Sequence, residues 1–135
     1  MFVDSSALVA IFAVEPDGRS YRDTIAAGRS NHTSALVVVE TVMVLSKRMD
    51  LPPPVTLQRV LRFLEEASVE IMPIQADHAV LGVETFAIYG KGRGHPAQLN
   101  LADCLTYACA RSKGLPILYK GNDFALTDMG APAGE

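Results

Sequence analysis

Four carboxylates stand in apolar company. Asp4 ends a short apolar run, and Glu40 lies inside LVVVETVMVL. Asp103 lies inside LNLADCLTYACA, and Asp123 follows another apolar run in YKGNDF. An ionised carboxylate among apolar neighbours is costly unless it is paired, hydrogen-bonded or metal-bound. Each acid also has a plainer reading. Asp4 can cap a helix, Asp123 can sit in a turn, and Glu40 and Asp103 can belong to an exposed polar stripe. The remaining acids, such as Glu15, Asp17, Asp23, Asp50, Glu65, Glu66, Glu70 and Glu135, fall in turns or on polar faces and ask for no explanation. Taken together, the four suggest one site. Two like charges ~4 Å apart repel by ~4 kcal/mol at an effective dielectric near 20. A hard divalent cation removes that repulsion and prefers oxygen ligands, so Mg²⁺ or Mn²⁺ fits. Asp4 and Asp103 would hold it directly, and Glu40 would take or orient the proton of an attacking water. Asp123 would complete the outer shell or bind a second ion. The implied chemistry is metal-assisted hydrolysis, with phosphodiester oxygens as the missing ligands. His32, His78 and His95 are scattered and read as surface or loop residues. Cys104 and Cys109 are five apart on a helix, about 140° from each other, and read as buried reduced thiols.

These acids must be brought together by the elements that carry them. Met1–Asp4 reads as a buried strand, continued by a helix over 5–14 that Asp4 or Ser5 caps. A turn at Pro16-Asp17-Gly18 leads to a helix over 19–27. Residues 31–33 read as extended. Ser34 then caps a segment to Arg48 that is β-branched at its start, yet long enough, and basic enough at its end, to be a helix. Residues 55–67 carry a helical apolar stripe, 69–72 a strand, and 75–89 a helix. Residues 90–96, GKGRGHP, form a flexible basic loop. A helix over 100–113 stops at Gly114, and a buried strand over 116–119 precedes a polar turn over 120–128. Strands alternating with helices predict an α/β/α domain with a mostly parallel sheet. In such sheets, ligands bind beyond the carboxyl ends of the strands, where Asp4 and Asp123 fall.

Composition bounds the rest. The 135 residues suit one domain, 1–135; 49% are hydrophobic and 20% charged, which excludes a disordered chain. A net charge of −3 argues against a module held to nucleic acid mainly by charge. No basic residue precedes the apolar run at 5–14, which argues against a signal peptide, and no run is long enough to span a membrane, so a cytoplasmic protein is expected.

Several segments are familiar as a set: FVDSSALVAIF, the SALVVVETVMVLSKR stretch, HPAQLNLADCLTYACARSKGLPILYKGNDF and the TD after it. Over residues 1–128 the sequence resembles the PIN-domain family, and within it the VapC-type toxin ribonucleases of toxin–antitoxin pairs. The resemblance implies a small α/β/α domain and an Mg²⁺- or Mn²⁺-dependent endoribonuclease. It also implies a homodimer, inhibited by a cognate VapB-type antitoxin. Asp4, Glu40 and Asp103 match the family's first three acids. Asp123 is the choice for the fourth, with Asn122 beside it and Asp128 competing. Ser6 matches the family's small hydroxyl residue, and Asn100 either caps the helix of Asp103 or serves the site. Lys91, Arg93 and Lys120 are candidate RNA contacts. The helices over 19–27 and 55–67 offer a groove to an antitoxin helix. Two other classes stay open: a metal-dependent phosphatase or phosphotransfer domain using Asp4, and a non-catalytic PIN-like binding module.

Overall fold

The computed structural model describes residues 1–130; Glu135 lies outside them. The chain runs β1 (Phe2–Val3), α1 (Ser5–Phe12), α2 (Gly18–Ala27), β2 (Asn31–Ser34), α3 (Ala35–Met49) and α4 (Pro53–Glu66). It continues as β3 (Val69–Met72), α5 (Ala76–Tyr89), α6 (Leu101–Ser112), β4 (Ile117–Leu118) and a 3-10 turn at Phe124–Leu126. The four strands are all parallel, in the order β3-β2-β1-β4. Phe2 stands opposite His32 on one side and Ile117 on the other. The connections β1→β2→β3 step one way across the sheet, and β3→β4 returns past β1. Right-handed crossovers therefore put α1–α4 on one face and α5–α6 on the other, giving three layers.

Local chemistry explains the least obvious elements. The β-branched Ala35–Val39 stretch is helical because Ser34 caps it, its Oγ accepting from Val37 N at 3.3 Å. Asp50, left-handed at φ 50°, closes that helix. Pro53 opens α4 at a position where a missing N–H costs nothing. Strand β2, Asn-His-Thr-Ser, is polar yet buried throughout. Its side chains find internal partners: Asn31 Nδ2 donates to Ile25 O, and Thr33 Oγ1 donates to Val3 O, both at 2.8 Å.

Two histidine expectations need correction. His32 and His78 are buried, not surface residues. His32 sits in the central strand pair beside Ser30, and His78 ties α5 to α6 through Ser112 Oγ at 2.9 Å. Cys104 and Cys109 are buried and unpaired. The core gathers Phe2, Leu8, Val37, Leu45, Val60, Leu64, Leu99 and Ala108 around the sheet. Among the described residues no helix is long and apolar enough to cross a membrane.

Candidate active site

The carboxyl edge of the sheet assembles the acids. Strand β1 ends at Asp4, which also caps α1 and is 5% exposed. Its Oδ2 accepts from Ser6 N at 3.1 Å and Ser6 Oγ at 2.6 Å. Burial pushes this carboxyl above its ordinary range, and the Ser6 bonds pull the other way. Asp4 thus caps a helix and also belongs to the group of acids whose charges act on one another.

Glu40 projects from the second turn of α3 and is half-buried. Burial raises its carboxyl, the Ser5 hydroxyl opposes, and the charge of Asp4 raises it further. Asp103 lies in the first turn of α6. Its Oδ2 accepts from Asn100 N at 3.1 Å, while Asn100 Oδ1 accepts from Asp103 N at 2.9 Å. Asn100 is therefore a helix cap, closing a reciprocal box with the acid. Burial, against that capping bond and with the charges of Asp4, Asp123 and Glu40, pushes the Asp103 carboxyl up to about 6. Asp123 is exposed at the start of the 3-10 turn after β4, and Asn122 beside it is also exposed.

Four acids from four separate segments thus feel one another at Asp103. Among the described residues none has a Lys or Arg ion-pair partner. Nor do any three acidic, His or Cys side chains among them converge tightly enough to cage one ion. The arrangement suits a cation held by one or two direct carboxylates with water completing its shell, which is the habit of Mg²⁺.

The other candidates fall into different company. Ser6 Oγ, while donating to Asp4, accepts from Lys120 N at 2.9 Å, so it fastens the end of β1 to the segment after β4. Asp128 is drawn away from the four acids. It accepts from the Tyr107 hydroxyl and pairs with Arg111 at 3.2 Å, which fastens the segment after the 3-10 turn to α6. Lys120 is revised as a phosphate contact, because its Nζ is held by Glu15 at 2.5 Å and Asp17 at 3.0 Å. Glu15 also takes Arg48 at 3.0 Å. Lys91 and Arg93 are exposed, with no ion-pair partner among the described residues.

Sequence reasoning passed over Glu15, Asp17, Ser5 and Thr106. Glu15 and Asp17 look like turn acids and instead hold Lys120 beside the site. Ser5 steadies Glu40. Thr106, one turn beyond Asp103, is buried close enough to Asp4 to favour its ionised form, though its Oγ1 completes no hydrogen bond. The Asp-Ser-Ser run was the one signal available for Ser5; nothing in the spacing pointed to Thr106.

The PIN domain family pattern matches residues 1–129. This chain is a member of the PIN-domain family. Within it, this PIN domain stands among VapC-type proteins. It is 39% identical to Ribonuclease VapC28 of Mycobacterium tuberculosis over 129 residues, 96% of this chain and 95% of the relative. It is 35% identical to Ribonuclease VapC30 of the same species over 133 residues, 98% of each. Its fold superposes on the crystal structure of Mycobacterium tuberculosis VapC20, a Sarcin-Ricin loop cleaving toxin, with a TM-score of 0.72 at 20% identity, covering 92% of each chain. A toxin-antitoxin complex from Klebsiella pneumoniae gives 0.70 at 21% identity, covering 95% of this chain and 92% of that one. The α/β/α fold expected of a PIN domain is the fold this chain has.

Proposed function

We propose that this PIN domain is a divalent-metal-dependent endoribonuclease, the toxin of a VapBC-type toxin–antitoxin pair in the cytoplasm. The observation that carries this reading is the acid group at the sheet edge, which has no Lys or Arg partner among the described residues; burial first, and then the charges of Asp4, Asp123 and Glu40, push the Asp103 carboxyl up to about 6. Curated relatives named ribonucleases, at 33–39% identity over nearly the whole chain, support the RNA-cleaving part.

The donor set fits Mg²⁺ or Mn²⁺: it is all oxygen, partly desolvated and without a counter-charge. Asp4 and Asp103 would hold the ion. Bound there, it supplies charge neutralisation and Lewis-acid activation of water against a phosphodiester. Ser6 fixes the Asp4 carboxylate by two hydrogen bonds, so that acid cannot swing away. The capping box fixes Asp103 in the same sense. Glu40 accepts the proton of the attacking water, and its raised carboxyl makes it a stronger base than an ordinary glutamate. Asp123, at the exposed rim, would complete the outer shell.

A groove of about 380 Å³ between α2 and α4, lined by Arg22, Ile25, Phe63 and Glu66 among others, supports an antitoxin helix as partner. An apolar groove of about 390 Å³ between α5 and α6, lined by Val83, Phe86, Leu101 and Leu105 among others, supports self-association as a homodimer.

The test is incubation of the purified protein with total RNA and Mg²⁺, followed by mapping of new ends. Cleavage is expected with Mg²⁺ and none with EDTA. Asp4→Asn and Asp103→Asn should each lower the rate by about 10²–10³-fold, the usual loss when one fixed electrostatic contact to developing charge is removed. Undiminished cleavage by both folded variants would overturn the metal-site reading.

A further inference from the structure

The segment 90–99 combines two exposed cations that have no carboxylate partner with a rigid base. Arg48, Arg62, Arg111 and Lys120 are each committed to a carboxylate. Lys91 and Arg93 are not, and both side chains are exposed.

The loop is closed at its root. Gly90 bridges Leu99, with Lys91 N donating to Leu99 O and Leu99 N donating to Tyr89 O, both at 2.9 Å. Ala97 and Leu99 are fully buried and act as anchors. His95 packs edge-on against Tyr89, ring centres 4.8 Å apart, and its Nδ1 accepts from Ala97 N at 3.0 Å. Gln98 Nε2 donates to His95 O at 2.6 Å. At the tip, Gly92 and Gly94 have φ of 84° and 81°, a conformation other residues rarely adopt. Between them the Arg93 guanidinium lies over the Phe86 ring, 5.9 Å from its centre. This contact presents the guanidinium at a fixed place while leaving its N–H groups outward.

Position supplies the functional link. Leu99 is four residues before Asp103, at most about 14 Å of chain. The root of the loop, where Lys91 N donates to Leu99 O, therefore stands close in the chain to Asp103, and the two exposed cations are carried from that root. We propose that the closed loop 90–99 is the substrate-positioning clamp of this domain, with Lys91 and Arg93 binding phosphates next to the scissile one. This rests on the ribonuclease reading above. Lys91 and Arg93 act through binding and touch neither the attacking water nor the acids. Their loss raises KM and leaves kcat in place.

The experiment measures binding apart from cleavage. A fluorescein-labelled single-stranded RNA is titrated with full-length protein in EDTA, by anisotropy, at several salt concentrations. Lys91→Gln/Arg93→Gln is compared with wild type and with Arg59→Gln on the exposed face of α4. The double variant should weaken Kd about tenfold and reduce the salt slope by about 1.4, roughly 0.7 for each lost phosphate contact on a single strand. Arg59→Gln should change neither. With Mg²⁺, the double variant should raise KM and keep kcat. Wild-type binding of RNA with an unchanged Kd and slope in the double variant overturns the clamp alone. Failure of wild type to bind RNA at all overturns the ribonuclease reading and the clamp with it.

Discussion

Asp103 carries two demands on one side chain. As the third residue of α6 it accepts the Asn100 N–H, which favours the ionised form; as a member of the acid group it sits among Asp4, Asp123 and Glu40, which favour the neutral form. Burial and like charge win, and the carboxyl stands at about 6 against an ordinary 3.8. Between those two values the folded protein binds more protons than the unfolded chain. Stability therefore falls as pH rises through that window, because its slope with pH follows protons bound unfolded minus folded. Glu15 and Asp17 do not mask this. The hydrogen bond from Lys120 holds both below their ordinary values, so they act only at lower pH. In EDTA, the melting temperature should drop between about pH 5 and about pH 7.5, and Asp103→Asn should flatten the profile while keeping the cap. A melting temperature that rises over that range, or a variant with the wild-type slope, would sink the coupling. The acids themselves were readable from the sequence, because a carboxylate among Leu, Val and Ala is conspicuous wherever it stands. Their companions Ser5 and Thr106 were not, because a hydroxyl in the same setting is commonplace and shows its role only through a neighbour brought by the fold.

At the level of elements, local signals were enough where they acted locally. Strand β3 has the bounds the sequence suggests, and the helices start at the expected caps, within two residues. The β-branched start of α3 was decided by Ser34 and by length, not by propensity. Long-range packing stayed hidden. His32 and His78 read as surface residues, yet one pairs into the sheet and the other bridges two helices. The turn after α1 shows the same limit. Val14 adopts φ 54°, a strained choice for a β-branched residue, and is 86% exposed, so no packing there requires valine. The turn delivers the next residue, Glu15, to Lys120 and Arg48. Strain that a neighbouring ion-pair cluster maintains can be relieved without disturbing the cluster. Val14→Asn should therefore stabilise the protein by about 1 kcal/mol, since Asn tolerates the left-handed region. Urea denaturation measures this; a lower midpoint for the variant would show that the valine side chain does more than point outward.

For the whole molecule, net charge is a poor guide to partners because it averages over charges with different fates. The count of 15 acids against 12 bases gives −3. Four of those acids are gathered at the sheet edge, leaving eleven against twelve bases, and several bases are neutralised in ion pairs. On the proposed reading, a phosphate strand would meet an acid group that an ion would neutralise, together with the two exposed cations of the 90–99 loop. The same separation has a thermodynamic cost. Without metal, the acids repel one another through a partly desolvated edge, and the fold must hold them there. Removing all four charges at once, as Asp4→Asn, Glu40→Gln, Asp103→Asn and Asp123→Asn, keeps both helix caps and most of the side-chain volume. This variant should melt at least about 3 °C above wild type in EDTA, the shift expected of 1 kcal/mol or so in a chain of this size. Addition of Mg²⁺ should then raise wild type and leave the variant where it was, because only wild type would keep the proposed site, which binds the ion in preference to the unfolded chain. Equal melting temperatures in EDTA would mean that the four acids are too far apart to strain the fold. A rise with Mg²⁺ in the variant would place the ion somewhere else on the molecule.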